Sequence, residues 1–197
     1  MKKTIIAIMA LVAMCTSANA QNANSLYIGV SPFGGESIKL KNKDNNTEFN
    51  YKYKSYFNAS IAKEGQAFGF GHLIELAYSK AKFDEVEIKN NSKILPFAGE
   101  DIYSIGGALY GGQSLNSGHR FQVPIYGGFG ADYINGGPFH HVTVFLGFKL
   151  RLKYYFTEKF GIYAGGAYKL GLGKSSEKGD LTPQSYFCDA GIVISLN

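Results

Sequence analysis

The chain has 197 residues and a formal net charge of +5, with 18% charged residues, 25 Gly, 14 Tyr, 15 Phe, 5 Pro and no Trp. Composition this rich in Gly and aromatics excludes a disordered or habitually helical chain and points to strands. It also excludes nucleic-acid binding, because no basic cluster stands alone: Lys39, Lys41 and Lys43 are followed by Asp44 and Glu48.

Residues 1–20 read as a cleaved secretory signal. Lys2 and Lys3 form a basic start, Thr4 to Met14 an apolar run too short to span a bilayer, and "ANA" at 18–20 a small-residue cleavage site. Cys15 follows "LVAM", a lipoprotein-like arrangement, but Met14 is too large for the residue before a lipidated cysteine. Residues 21–197 are then one domain. Cys188 is its one cysteine, so no intrachain disulfide is expected. No later segment approaches the roughly eighteen apolar residues of a transmembrane helix.

Along the mature chain, apolar and polar residues alternate. Leu26, Ile28 and Val30 share one face. In 49–61, "FNYKYKSYFNASI", the odd positions are mostly aromatic or apolar and the even ones mostly polar. A period of two sustained that long exceeds the usual strand of about five or six residues. It suits a tilted strand crossing a bilayer, which needs about nine to eleven. Phe121, Val123, Ile125, Phe129, Ala131 and Tyr133 oppose Gln122, Tyr126, Gly128, Gly130 and Asp132. Val142 to Leu152 alternate with Thr143, Phe145, Gly147, Lys149, Arg151 and Lys153. Tyr186, Cys188, Ala190, Ile192, Ile194 and Leu196 close the series.

Eight strands are predicted, near 24–32, 49–62, 66–82, 101–113, 120–134, 142–156, 160–173 and 185–197. The fold class is all-β: an eight-stranded antiparallel up-and-down transmembrane β-barrel. Connections at 33–48, 83–100, 135–141 and 174–184 are polar and mostly long; those at 63–65, 114–119 and 157–159 are short. Sorting by parity is the asymmetry of an outer-membrane barrel, with long loops outside and both termini periplasmic. The glycines of "YYFTEKFGIYAGGAYKLGLG" (154–173) fit this, since a closed ladder in lipid persists regardless of propensity. Gly161, Gly165, Gly171 and Gly173 share the inward parity of Lys169 and leave room for Arg151, Tyr163 and Lys169 to lie across the lumen. Gly166 falls outward, which a bulge at Gly165–Gly166 would repair.

"GFKLRLKYYFTEKFGIYAGGAYKLGLG" (147–173) resembles the penultimate hairpin of the small outer-membrane β-barrel family, the porin-like domain common in Bacteroidota and related in architecture to the OmpA and OmpX barrels. "RFQVPIYGGFGADY" (120–133) is similar to its fifth strand. The resemblance implies an outer-membrane barrel whose partners are outer-membrane lipid, the barrel-insertion machinery and an extracellular partner at the loops; it implies no cofactor. Such barrels often end in an aromatic residue, whereas this chain ends Ile194-Ser195-Leu196-Asn197.

Inward charges are the first candidate site: Lys52, Lys54, Glu75, Asp132, Lys149, Arg151, Lys153, Lys169 and Asp189. Antiparallel pairing about the short connections puts Glu75 opposite Lys52 or Lys54, and Asp189 near Lys169. Two readings stay open, a salt-bridge network filling the lumen and the charged constriction of a small pore. Outward aromatics form two girdles, Tyr51, Tyr53, Tyr78, Tyr133 and Tyr168 toward the loops, and Tyr154, Phe156 and Phe160 toward the turns.

Other motifs are weaker. His140 and His141 point to opposite faces if both lie in a strand, so they cannot share one metal ion. His141-Val142-Thr143 resembles the His-x-Ser arrangement of lipid A deacylases, but Thr replaces Ser and only Asp132, on the neighbouring strand, could orient the histidine. Gly171 to Ser175 mimics a P-loop tail without its first glycine or a following helix. His72 falls on the lipid face unless a bulge near Gly71 exchanges it with Leu73. No catalytic, metal or cofactor site is expected. The expected role is structural and surface-interacting; the rivals are a small porin, a periplasmic lipocalin-like carrier with every face inverted, and a lipid A deacylase.

Overall fold

The computed structural model describes residues 24–42, 47–67, 70–89, 93–96, 101–117, 120–136, 139–174 and 179–196; the expected signal segment lies outside them. Its strands are β1 (Ser25–Asn42), β2 (Glu48–Ala67), β3 (Phe70–Ile88), β4 (Lys93–Pro96), β5 (Asp101–Ser117), β6 (Phe121–Gly136), β7 (Phe139–Tyr155), β8 (Phe160–Gly171), β9 (Gly173–Lys174) and β10 (Gly179–Ser195). The eight long strands run in the order β1-β2-β3-β5-β6-β7-β8-β10, and β10 pairs back onto β1. Every pairing is antiparallel. The short β4 and β9 extend the upper edge beside β3 and β10. This is an eight-stranded antiparallel barrel in which each long strand has a paired neighbour on both sides.

The turn ends follow simple chemistry. In the β7–β8 turn the Thr157 hydroxyl accepts the Phe160 N–H at 2.9 Å, and Phe160 C=O accepts from Phe156 N–H at 3.1 Å. Gly136, at the end of β6, has φ +137°, a conformation that a side chain disfavours. A Cβ at Gly165 would press on Arg151, and one at Gly29 would run into the Tyr163 hydroxyl. These two glycines are what let large interior side chains lie against the wall. The register is continuous through Gly165–Gly166, so the expected bulge is absent. Gly166 faces open space, and nothing in the structure explains it. The pairing is equally continuous through Gly71. Leu73 is fully buried inside and His72 sits outside, its ring over Gly65.

The strands are longer than periodicity suggests. β1 runs to Asn42 and β3 to Ile88, so much of the expected loops 33–48 and 83–100 is barrel wall. Likewise β2 continues to Ala67, which moves the first short turn past 63–65. Alternation stops being legible because its sense reverses part-way up. Low in the barrel, outward residues are apolar and exposed: Ile28, Ile61, Ile74, Leu109, Phe129, Phe148, Ile162 and Ile192. Higher up, Ile38, Tyr51, Phe83, Val86, Ile102, Ile134 and Phe139 form a buried cluster inside. There the outer face carries ion pairs, Lys52 with Glu87 at 2.9 Å and Lys80 with Asp101 at 2.7 Å.

On β1, β2 and β3 bulges perform the reversal, whereas β6 and β7 keep one inward parity from end to end. β1 slips against β10 between Val30 and Phe33, and β2 slips against β3 around Tyr53. One extra residue exchanges the two faces of everything beyond it. Inward positions on β2 are therefore Tyr56, Asn58, Ala62 and Glu64 below, but Tyr51 above. The barrel thus has an apolar coat over its lower part and an apolar core in its upper part.

Candidate functional site

The interior of the lower barrel is polar. Lys149, Arg151 and Lys153 alternate along β7 and so all face inward, where they are essentially inaccessible. Burying a cation is tolerable only with hydrogen-bonded partners. Each of the three has one from across the barrel.

At the lowest level Glu64 accepts from Lys153 at 2.8 Å, from the Tyr27 hydroxyl at 2.6 Å, and from the Tyr126 hydroxyl. In the middle Arg151 donates to Asp189 at 3.0 Å and to Glu75 at 3.3 Å, while Lys149 also donates to Glu75. The Arg151 guanidinium lies 4.6 Å from the Tyr27 ring centre and 4.7 Å from that of Tyr163, so two aromatic faces take the part of its lost hydration. One level higher Lys169 pairs with Asp132 at 3.2 Å and lies 4.3 Å from the Phe145 ring centre. Above that come Tyr51, Phe83 and Phe139, with the Tyr51 and Phe139 rings packed edge to face at 5.0 Å. Lys149, Arg151, Lys153 and Lys169 thus meet Glu64, Glu75, Asp132 and Asp189, and Glu36 adds a further carboxyl on the interior side beside Asp132 and Lys169.

Several sequence expectations are corrected here. Lys52 is on the outer surface with Glu87, because the slip around Tyr53 turns it out of the interior. Tyr51, expected in the loop-side girdle, is inside for the same reason. The side chains of Lys54 and Tyr53 lie outside the described residues. Glu75 stands beside Ala62 in the ladder, so its partners are on β7 across the barrel and not on β2. Asp189 is paired to Arg151, while Lys169 takes Asp132. Tyr78, Tyr133 and Tyr168 face outward at the upper margin of the apolar band, and Tyr154, Phe156 and Phe160 at the lower. Tyr103 and Tyr186 join the upper set and Phe121 the lower.

Glu64 went unrecognised because it falls in the segment read as a turn, and nothing nearby marks it as interior. Tyr27 and Tyr126 had a usable signal, since their parity opposes the apolar face of their own strands. The histidines do not converge: His140 is exposed and shares a hydrogen bond with Asn135 at 2.6 Å, whereas His141 points inward. Asp132 is engaged by Lys169 rather than by a histidine. Among the described residues, no three His, Cys, Asp or Glu side chains come together as a metal site.

Solved structures bear on this geometry. The chain is similar to Neisserial surface protein A from Neisseria, with TM-score 0.51 and 14% identity over 87% of this chain and 97% of that one. It is also similar to the outer membrane protease OmpT of Escherichia coli, with TM-score 0.54 and 7% identity over 91% and 99%. The fold is that of an outer-membrane β-barrel. Ail, the attachment invasion locus protein of Yersinia pestis, also matches, with TM-score 0.40 and 14% identity over 86% and 98%. No family model matches the chain, and no curated protein does.

Proposed function

We propose that the chain is an integral outer-membrane protein whose barrel is closed to solutes and which acts through the surface it raises above the membrane. The observation that carries this is the stack of interior levels: Glu64 with Tyr27 and Tyr126, Arg151 between Tyr27 and Tyr163, Lys169 with Asp132, and the apolar cluster above. Eight strands enclose an interior that side chains can fill, and here bulky groups occupy it level after level. The outward Ile, Leu, Val and Phe of the lower band supply the lipid contact, which a lipocalin-like carrier would place inside instead.

In this reading residues 1–20 direct export and are removed, both termini are periplasmic, and the insertion machinery places the barrel in the membrane. The upper barrel, with its paired Lys and Glu side chains, is the part that meets a partner outside the cell. The neighbour OmpT is titled a protease. The lipid A deacylase reading would need Asp132 to orient His141, yet Asp132 is held by Lys169.

Planar-bilayer recording tests the closed interior. Purified protein should add no discrete current steps at any voltage. Regular single-channel openings would instead establish the pore reading. Incubation with lipid A should leave its mass unchanged; a loss of acyl chain abolished by His141→Ala would establish an enzyme.

A further inference from the structure

The wall of the barrel is parted on one seam. β1 and β2 pair at Ser31 with Asn58 and again at Ser37 with Lys52, but among the described residues no ladder pair joins 32–36 to 53–57. On its other side the same segment of β1 stays paired to β10, through Phe33–Cys188, Gly34–Phe187, Gly35–Tyr186 and Glu36–Ser185. Pro32 contributes to the parting, since it has no N–H to give to β2. The bulges on both strands fall in the same stretch.

Beside the parted seam is a cleft of about 340 Å³, at the small end of the usual range for ligand sites, about 300–1,000 Å³. Its lining includes Glu36, Ser37 and Gln184, with Tyr168 and Tyr186 on one flank. Tyr186 lies over Gly35, where a Cβ would collide with the ring. The cleft's level is fixed by its neighbours: exposed Phe33 belongs to the apolar band, whereas Lys39 and Lys41 lie beyond it. The mouth therefore straddles the edge of the apolar band.

The chemistry of the lining selects a ligand class. The basic side chain that borders the cleft, Lys52, is already paired with Glu87 at 2.9 Å, which disfavours a phosphate. Glu36 pairs with inward Ser185, and its carboxyl lies on the interior side with Asp132 and Lys169, so what the mouth offers is the Gln184 amide, the Ser37 hydroxyl and two tyrosine rings. The amide oxygen accepts from hydroxyl groups, the amide N–H₂, serine O–H and tyrosine O–H donate to them, and aromatic faces cover the C–H side of a sugar ring. We propose that this cleft binds a saccharide, carried either on an outer-leaflet glycolipid or on a free oligosaccharide. The outer-leaflet source rests on the orientation proposed above; the saccharide chemistry does not.

The test has two arms. Folded protein in detergent is titrated with soluble maltohexaose and chitohexaose, and protein in phospholipid nanodiscs is compared with and without purified lipopolysaccharide. Saturable binding is expected in at least one arm, weakened at least tenfold by Tyr186→Ala and by Gln184→Ala, with Tyr133→Ala on a distant part of the same rim unchanged. Each variant is first shown to be folded by its unboiled gel mobility. Binding in the nanodisc arm alone assigns a glycolipid, and binding in the soluble arm identifies a free saccharide. No binding in either arm, or binding that both cleft substitutions leave intact, overturns the proposal while leaving the closed-interior reading to its own conductance test.

Discussion

Glu75 is the residue on which the interior charge balance turns, because it accepts from Lys149 and Arg151 at once. Its replacement by Ala would leave Lys149 without its ion-pair partner and take one of two from Arg151. Removing one member of a buried pair costs about 3–5 kcal/mol. Glu75→Ala is therefore expected to lower unfolding stability in lipid vesicles by that amount, measured by urea titration; a change under about 1 kcal/mol would mean that the site is hydrated. The positions of Lys149, Arg151 and Lys153 were legible from period two alone, as was the inward parity of Glu75. Their partners were not. Which carboxylate meets which cation depends on register, and β2 runs on to Ala67 through the 63–65 segment that composition marks as a turn.

Individual strands carry two environments in succession. Below its bulge β1 presents Ile28 and Val30 outward; above, it turns Ile38 inward and Lys39 and Lys41 out. Without the extra residue those lysines would share the interior with Phe83. The eight strands and the order of their pairing were readable because alternation is strong wherever lipid is outside. The upper ends of β1 and β3 were read as loops because a bulge breaks the pattern at the point where its sense changes. Phe83→Ala in the upper cluster is expected to cost about 3–5 kcal/mol, whereas Lys52→Ala on the outer face should cost no more than about 1 kcal/mol; urea unfolding of both variants checks the contrast. Outside the apolar band, hydrogen bonds from Lys52 and Lys80 hold the carboxyls of Glu87 and Asp101 below their ordinary range. Their stabilisation is present above the usual carboxylate pKa and lost as pH falls through the lowered folded-state values. Because both pairs are exposed, that acid-side loss should fade in high salt.

The whole molecule is one cylinder in two solvents: a lipid-coated lower barrel with paired charges inside, continuous with a water-coated upper barrel with an ordinary apolar core. A charge placed at mid-height on the lower coat should therefore be penalised. Phe148→Arg is expected to cost about 2–4 kcal/mol of folding stability in vesicles, and a neutral effect by equilibrium unfolding would remove Phe148 from the hydrocarbon. The unboiled protein should also migrate differently from the boiled one on a gel, as a closed ladder resists detergent. The most direct measurement of the two-solvent claim is spin-label accessibility in reconstituted vesicles, with Cys188→Ala as background and single labels at Phe148→Cys and Lys52→Cys. The first label is expected to be relaxed by oxygen and the second by a water-soluble nickel chelate. A label at Lys52 shielded from nickel, or one at Phe148 open to it, would contradict the two-solvent claim.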